Sequence, residues 1–161
     1  MKMPPRQSII KRGAWYVVIQ AILIGLILFG PYGAPLLTTQ AFRTPLQVFG
    51  IALGVLAFLI MLISAIHLGK NLTPLPFPRD DAKLVQSGLY GIVRHPLYFG
   101  VILASLAWLL IFPYVGILMY AIALFILFDL KAGREEVWLL QRFPAYAAYQ
   151  SQVKKLIPGI Y

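Results

Sequence analysis

No charged residue lies between His95 and Asp129. An uncharged stretch of that length can cross the roughly 30 Å hydrocarbon core of a bilayer and return. Pro113 interrupts it, and proline stops a helix because it lacks the N–H and clashes with the preceding turn. The reading is a tight helical hairpin, with one span from about Leu97 to Phe112 and another from near Tyr114 to Phe128. Two further apolar runs precede it, Ala14 to Gly30 and about Pro45 to Leu68. At 60 % hydrophobic over 161 residues, the chain is far more apolar than a soluble domain. The expected class is an all-α integral membrane protein, one domain over residues 1–161, with about four transmembrane helices. There is no cysteine, which removes disulfides, thiolate metal sites and cysteine nucleophiles. Two histidines far apart and five acids give no metal cluster.

The net charge is +9. In a soluble protein this would suggest nucleic acid, but here it is read as basic residues holding the cytoplasmic ends of helices. Lys2, Arg6, Lys11 and Arg12 precede the first run; Lys70, Arg79, Lys83 and Arg94 follow the second. Lys131, Arg134, Arg142, Lys154 and Lys155 follow the fourth, and the two remaining loops hold only Arg43. Four spans with both termini in the cytoplasm satisfy this distribution. The partners expected are therefore the bilayer and an amphiphile within it, with no nucleic acid.

Local signals refine the elements. Gly50 and Gly54 have the four-residue spacing that lets two membrane helices approach closely. His67 closes the second span and reads as an interfacial hydrogen-bonder. Pro74, Pro76 and Pro78 exclude a continuous helix over 69–86, a polar stretch that reads as a lid over the cytoplasmic face. Ser87 is a candidate N-cap for a short helix at 88–94, and Pro96 suits the first turn of the third span. After Phe128 the helical pattern continues to Phe143 without a breaker, so the fourth helix leaves the membrane. Pro144 stops it, and residues 145–156 read as a terminal helix with Tyr146 and Tyr149 on one side.

The chemistry converges on the cytoplasmic side, in the segment Ser87 to Gly100 and the helical extension at 129–142. Polar and ionisable groups at membrane depth are expensive and mark functional sites. Arg94, His95, Tyr90 and Tyr98 lie at the mouth of the third span, and Glu135-Glu136 lies some forty residues on. Cations, carboxylates, aromatic rings and glycine-flanked backbone N–H groups suit a zwitterionic cofactor with an aromatic base. S-adenosyl-L-methionine fits: its carboxylate needs a cation or a helix N-terminus, its ribose or ammonium needs a carboxylate, and its sulfonium suits tyrosine faces. Lys131 and Glu135 are one turn apart and share a face. Glu136 is turned about 100° from Glu135, toward Arg94 or Arg142 and away from the ligand.

The residues Ser87-Gly88-Leu89-Tyr90, Arg94-His95-Pro96-Leu97-Tyr98-Phe99-Gly100, Arg134-Glu135-Glu136 and Phe143-Pro144-Ala145-Tyr146-Ala147-Ala148-Tyr149 with Val153 resemble the C-terminal signature of the isoprenylcysteine carboxyl methyltransferase family. Phospholipid methyltransferases are broader relatives. The resemblance covers about residues 72–158. It implies a membrane methyltransferase using S-adenosyl-L-methionine, in a pocket roofed by the C-terminal segments. It assigns cofactor binding to Lys83, Leu84, Val85, Tyr90, His95, Pro96, Leu97, Tyr98 and Glu135. Catalytic positions are Lys131, where the family often has an arginine for the substrate carboxylate, and Arg134 beside the acid. Lysine is a point charge without arginine's bidentate fork.

Methyl transfer from a sulfonium is an in-line displacement, and a carboxylate acceptor needs no general base. The enzyme's contribution is alignment and water exclusion. The expected acceptor is a membrane-embedded amphiphile, an isoprenylcysteine-type carboxylate first and a lipid amine second. Two other readings stay open. Membrane sterol reductases share a similar Arg-His-Pro-x-Tyr-x-Gly segment and use NADPH, but their tail carries Arg-Asp, a cysteine and Lys-Tyr-Gly. A non-catalytic lipid-binding protein on the same fold is the other.

Overall fold

The computed structural model describes residues 13–36, 40–76 and 83–161. The basic N-terminal cluster Lys2 to Arg12 and the Arg79-Asp80-Asp81 part of the expected lid lie outside the described residues. Among the described residues five α-helices carry the fold: α1 (Ala14–Phe29), α2 (Gln40–Leu68), α3 (Pro96–Ile111), α4 (Val115–Arg142) and α5 (Tyr146–Gln152). Among the described residues the only β pairing is two isolated bridges.

The helices pack in the order α1, α4, α3, α2. The α2–α3 contact is the most extensive, and small residues explain it. A Cβ on Gly50 would stand 2.9 Å from the Ala107 carbonyl oxygen, and one on Gly100 would stand 2.5 Å from Cγ of Met61. Gly54 faces the Ala107 methyl at van der Waals distance. The Gly50/Gly54 pair thus packs helix on helix, as its spacing indicated. The core lies between α1, α3 and α4, around Ile117, Leu124, Phe128 and Ala132. The outward faces are as apolar as the interior: Ile22 on α1, Phe49, Val55 and Phe58 on α2 and Ile122 on α4 are all exposed. So continuous an apolar exterior is incompatible with water and suits lipid.

Two helices are long and apolar enough to cross a membrane, α2 with its extension to Asn71 and α4. The helices α1 and α3 are equally apolar but have 16 residues each, about 24 Å of rise. The expected bounds hold closely. Pro96 is at the first turn of α3, and α4 runs unbroken for 28 residues to Arg142. Two local expectations need correction. Residues 88–91 form a 3-10 turn, not an α-helix to 94, and the Ser87 side chain makes no cap bond. Gly88 has φ +63°, a conformation other residues rarely adopt, and its Cα faces the His67 ring. The terminal helix is also shorter than read. It ends at Gln152, and the chain then runs extended beside Val93.

At the end of the bundle away from His95, the loop after α1 is stitched to the α3–α4 turn. The Leu36 amide donates to the Pro113 carbonyl at 2.7 Å and the Val115 amide to the Ala34 carbonyl at 3.0 Å. This leaves the opposite end, where α2 and α4 finish and α3 begins, for the polar residues.

Gly50→Leu should destabilise the bundle by about 1–3 kcal/mol, because the new side chain overpacks a helix crossing. Gly25→Ala in α1, where a Cβ meets nothing within 4 Å, should be neutral or stabilising by up to about 1 kcal/mol. Thermal unfolding of the two variants in detergent would separate them; equal effects would mean that α2 and α3 do not cross at Gly50.

Candidate functional site

Arg94 is the centre of the polar end. Its guanidinium grips Glu136 with two bonds, Nε to Oε1 at 2.7 Å and Nη2 to Oε2 at 3.2 Å. Its remaining terminal nitrogen donates to the carbonyls of Gln150, at 2.9 Å, and Val153. The pair is nearly dry, with 9 % and 7 % of the two side chains exposed. Gln150 closes the knot from the tail, donating to Glu136 Oε2 at 2.9 Å. The backbone adds to it: the amides of Arg94 and His95 donate to the carbonyls of Lys154 and Lys155. The tail is therefore clasped to the mouth of α3 by side-chain and main-chain bonds together. Lys155 pairs with Asp129 at 2.5 Å, so this lysine, counted from sequence among the basic residues at the cytoplasmic helix ends, anchors the tail.

His95 is buried between the two acids. Its Nε2 donates to Glu136 Oε1 at 3.1 Å, since an ionised carboxylate only accepts. Its Nδ1 is 3.8 Å from Glu135 Oε2. Its ring is parallel to that of Tyr98 at 5.3 Å, and Tyr98 stacks on Phe128 at 4.8 Å. The Tyr98 hydroxyl donates to Glu135 Oε2 at 2.8 Å. The adjacent glutamates thus have different surroundings. Both oxygens of Glu136 are taken by Arg94, His95 and Gln150, whereas Glu135 Oε1 has no donor among the described residues and its side chain is 27 % exposed.

A cleft opens in front of Glu135, with about 770 Å³ of empty space counted to its mouth. Eight of the nine cofactor positions expected from sequence line it. Lys83, Leu84 and Val85 come from the polar loop, Tyr90 from the 3-10 turn, His95, Leu97 and Tyr98 from the α3 mouth, and Glu135 from α4. Pro96 is buried and does not line it; its fixed backbone starts the helix that carries the others. The polar loop is pinned at both sides of its undescribed part. The Asn71 side-chain amide accepts from the Lys83 amide and donates to the Lys83 carbonyl, both at 3.0 Å, so Asn71 and Thr73 also reach the cleft.

The structure brings neither expected catalytic cation into the cleft. Lys131 shares the Glu135 face but sits a turn deeper, only 2 % exposed. Its Nζ donates to Gln20 Oε1 of α1 at 2.7 Å and stands 5.0 Å from the Tyr98 ring centre. Arg134, about 100° round the helix from Glu135, is exposed with its guanidinium 5.9 Å from the Trp138 ring. His67 does not line this cleft; its Nδ1 donates to the Ile63 carbonyl at 2.8 Å.

Sequence reasoning expected the C-terminal segments to roof the pocket but assigned no site residue to the wall they form, Leu139, Phe143, Tyr146 and Tyr149. The spacing of the two tyrosines was the available signal. Tyr149 donates to the Tyr90 carbonyl, and burial pushes its phenol up to about 12. Burial raises Tyr90 and Tyr146 as well. All three are neutral hydroxyls near pH 7 and none is a phenolate base.

Comparisons with known proteins bear on this cleft. The model of the isoprenylcysteine carboxyl methyltransferase (ICMT) family matches residues 50–141, more than half of the chain and most of the site. The chain belongs to the ICMT family. It is 34 % identical over 97 residues to the protein-S-isoprenylcysteine O-methyltransferase of Dictyostelium discoideum, covering 58 % of this chain and 41 % of that one. The solved structure of a eukaryotic intramembrane Ras methyltransferase ICMT superposes with a TM-score of 0.65 over 96 % of this chain and 55 % of that one, at 24 % identity. The chain thus spans about half the length of these relatives, and the structural likeness is one of fold. ICMT family membership and two helices able to cross a bilayer make this an integral membrane protein.

Glu136→Gln and Arg94→Met should each destabilise the folded tail by about 3–5 kcal/mol, because each leaves its partner buried without a counter-charge. Limited proteolysis between Phe143 and Lys154 should accelerate in both. The double variant Arg94→Met/Glu136→Leu should recover part of the loss. Single variants as protease-resistant as the parent would mean that the clasp does not hold the tail.

Proposed function

We propose that this protein is an S-adenosyl-L-methionine-dependent methyltransferase acting on an amphiphile held in the bilayer, with an isoprenylcysteine-type carboxylate as acceptor. The observation that carries this reading is the gathering of Lys83, Tyr90, His95, Leu97, Tyr98 and Glu135, distant in sequence, around one cleft in a chain of the ICMT family. The residues present fit an adenosylated amino acid. Glu135 offers a carboxylate oxygen for an ammonium or a ribose hydroxyl, and the aromatic wall offers faces for a purine.

When bound, the cofactor would be held by Glu135 and the aromatic wall and would supply an electrophilic methyl group to the acceptor's carboxylate. The work left to the chain is positional. Tyr98, stacked between His95 and Phe128 and bonded to Glu135, has no freedom to swing and fixes the direction of the Glu135 carboxylate. The clasped tail covers the cleft and excludes water, which would otherwise compete as a nucleophile. Lys131, buried beside the Tyr98 ring with Gln20, is the group we assign to the acceptor's carboxylate, reached from the α1 side. Arg134, on the exposed face, receives no role in the transfer.

The membrane arrangement in this reading has four spans, α1 to α4, with both termini cytoplasmic. It is supported by the charges: Lys70, Lys83, Arg94, Arg142 and Lys154 all belong to the His95 end of the bundle, and Arg43 belongs to the other. The soluble cofactor then enters from the cytosol and the lipid acceptor from between helices. N-methylation of a lipid amine is the second reading: an ammonium acceptor must first lose a proton, which in the cleft falls to His95 or Glu135.

Calorimetric titration of the detergent-purified protein with S-adenosylhomocysteine should show saturable binding, and NADPH in parallel should show none. Glu135→Gln should weaken S-adenosylhomocysteine by about 10-fold or more, the worth of a hydrogen bond to a charged group, with thermal stability kept. Binding of NADPH alone would move the protein to the reductases, and binding of neither would leave a lipid-binding protein.

A further inference from the structure

Tyr146 is the anomaly of the cleft. It is 1 % exposed and lines the cavity, yet its hydroxyl has no hydrogen-bond partner among the described residues. Buried hydroxyls are almost always bonded, and one left unbonded calls for an explanation. Its neighbour Tyr149 is also buried but bonds the Tyr90 carbonyl, and the two rings meet edge to face at 5.6 Å. The contrast is informative. Tyr149 ties the tail to the 3-10 turn, while Tyr146 is held in place by packing and by its amide bond to the Phe143 carbonyl at 2.9 Å. Nothing in the fold uses its hydroxyl. Phenylalanine would fill the same volume without burying an unbonded polar atom.

We infer that the Tyr146 hydroxyl is a ligand contact, donating to a ring nitrogen of the adenine of the bound cofactor. This rests on the cofactor reading above and deepens it by placing the two ends of the ligand. Around Tyr146 the wall is apolar and aromatic, with Leu139, Phe143 and Tyr149. That wall suits a flat base that stacks well and offers acceptor nitrogens. The carboxylate of Glu135, open on one oxygen, suits the ribose or the ammonium. At neutral pH the phenol keeps its proton, because burial raises it above its ordinary value, so a donor is always present. The tail then does more than cover the cleft, since through Tyr146 it reads the base. The clasp of Arg94 on Glu136 and on the carbonyls of Gln150 and Val153 becomes what holds that reader in register.

The test is Tyr146→Phe, which deletes one oxygen. Thermal stability without ligand should be unchanged or higher, because the deleted group has no partner to lose. The affinity for S-adenosylhomocysteine should fall about 3- to 10-fold, the usual worth of one hydrogen bond. Tyr149→Phe is the structural comparison and should lower the unfolding temperature. Titration with 5′-methylthioadenosine, which keeps the adenosine and lacks the amino acid, places the contact: a similar loss in Tyr146→Phe supports the adenine assignment. Unchanged affinity for both ligands, or a loss confined to S-adenosylhomocysteine, would overturn it. Failure of the parent protein to bind either ligand would overturn the cofactor reading itself, which is a different outcome.

Discussion

The buried ion pair between Arg94 and Glu136 is the interaction on which the polar end of this molecule depends. Burying two charges costs more than their attraction returns unless nearly every donor and acceptor is satisfied. Here they are: two bonds join the pair, His95 and Gln150 take the carboxylate's remaining capacity, and two tail carbonyls take the guanidinium's. The same bonds decide where the last helix lies. Without them the tail has little to hold it, because α5 is seven residues long, and helices that short are not stable alone.

The clasp also explains why two adjacent glutamates do different work. Successive helix positions differ by about 100°, so Glu136 faces the knot and Glu135 faces the cleft. His95 lies between them and passes order from one to the other. Held by Glu136 on one side, it stacks on Tyr98, and Tyr98 aims Glu135. The fully bonded carboxylate and the one that opens to the cleft are thereby one residue apart, coupled through a ring stack that cannot rotate freely.

The rest of the bundle keeps this end polar and the remainder apolar. The close α2–α3 crossing at Gly50, Gly54 and Gly100 brings the end of α2 beside the start of α3, which places Asn71 and Thr73 at the cleft. The stitching of the loop after α1 to the α3–α4 turn closes the other end. Lys131 is the exception to the segregation, a cation inside the bundle with Gln20 as its bonded partner and the Tyr98 ring beside it. Ionisable groups placed that deep are costly, and Lys131 is held by the Gln20 oxygen and the Tyr98 ring.

Much of this was legible in the chain because it depends on local physics. Uncharged length defines a membrane helix, proline marks where helices start and stop, and the small-residue spacing of Gly50 and Gly54 announces a close crossing. The residues from Tyr90 to Tyr98 and Glu135 stood out because polar groups at a membrane boundary are expensive. The 3-10 turn at 88–91 was misread because the positive φ of Gly88 and the His67 ring packed against it are tertiary facts. The short α5 and the extended return to Val93 were missed for the same reason, since their bonds go to partners some sixty residues away. Helical periodicity could place Lys131 and Glu135 on one face, but not say that a turn of depth would bury the first against α1 and open the second to the cleft. The sequence by itself determined which segments are helices, which are apolar enough to suit lipid and where the polar residues cluster along the chain, because those follow from spacing and hydration along one chain. Only the tertiary structure decided which arginine pairs with Glu136, which tyrosine keeps an unused hydroxyl and which cation is sequestered, because each is settled by what another element places beside it.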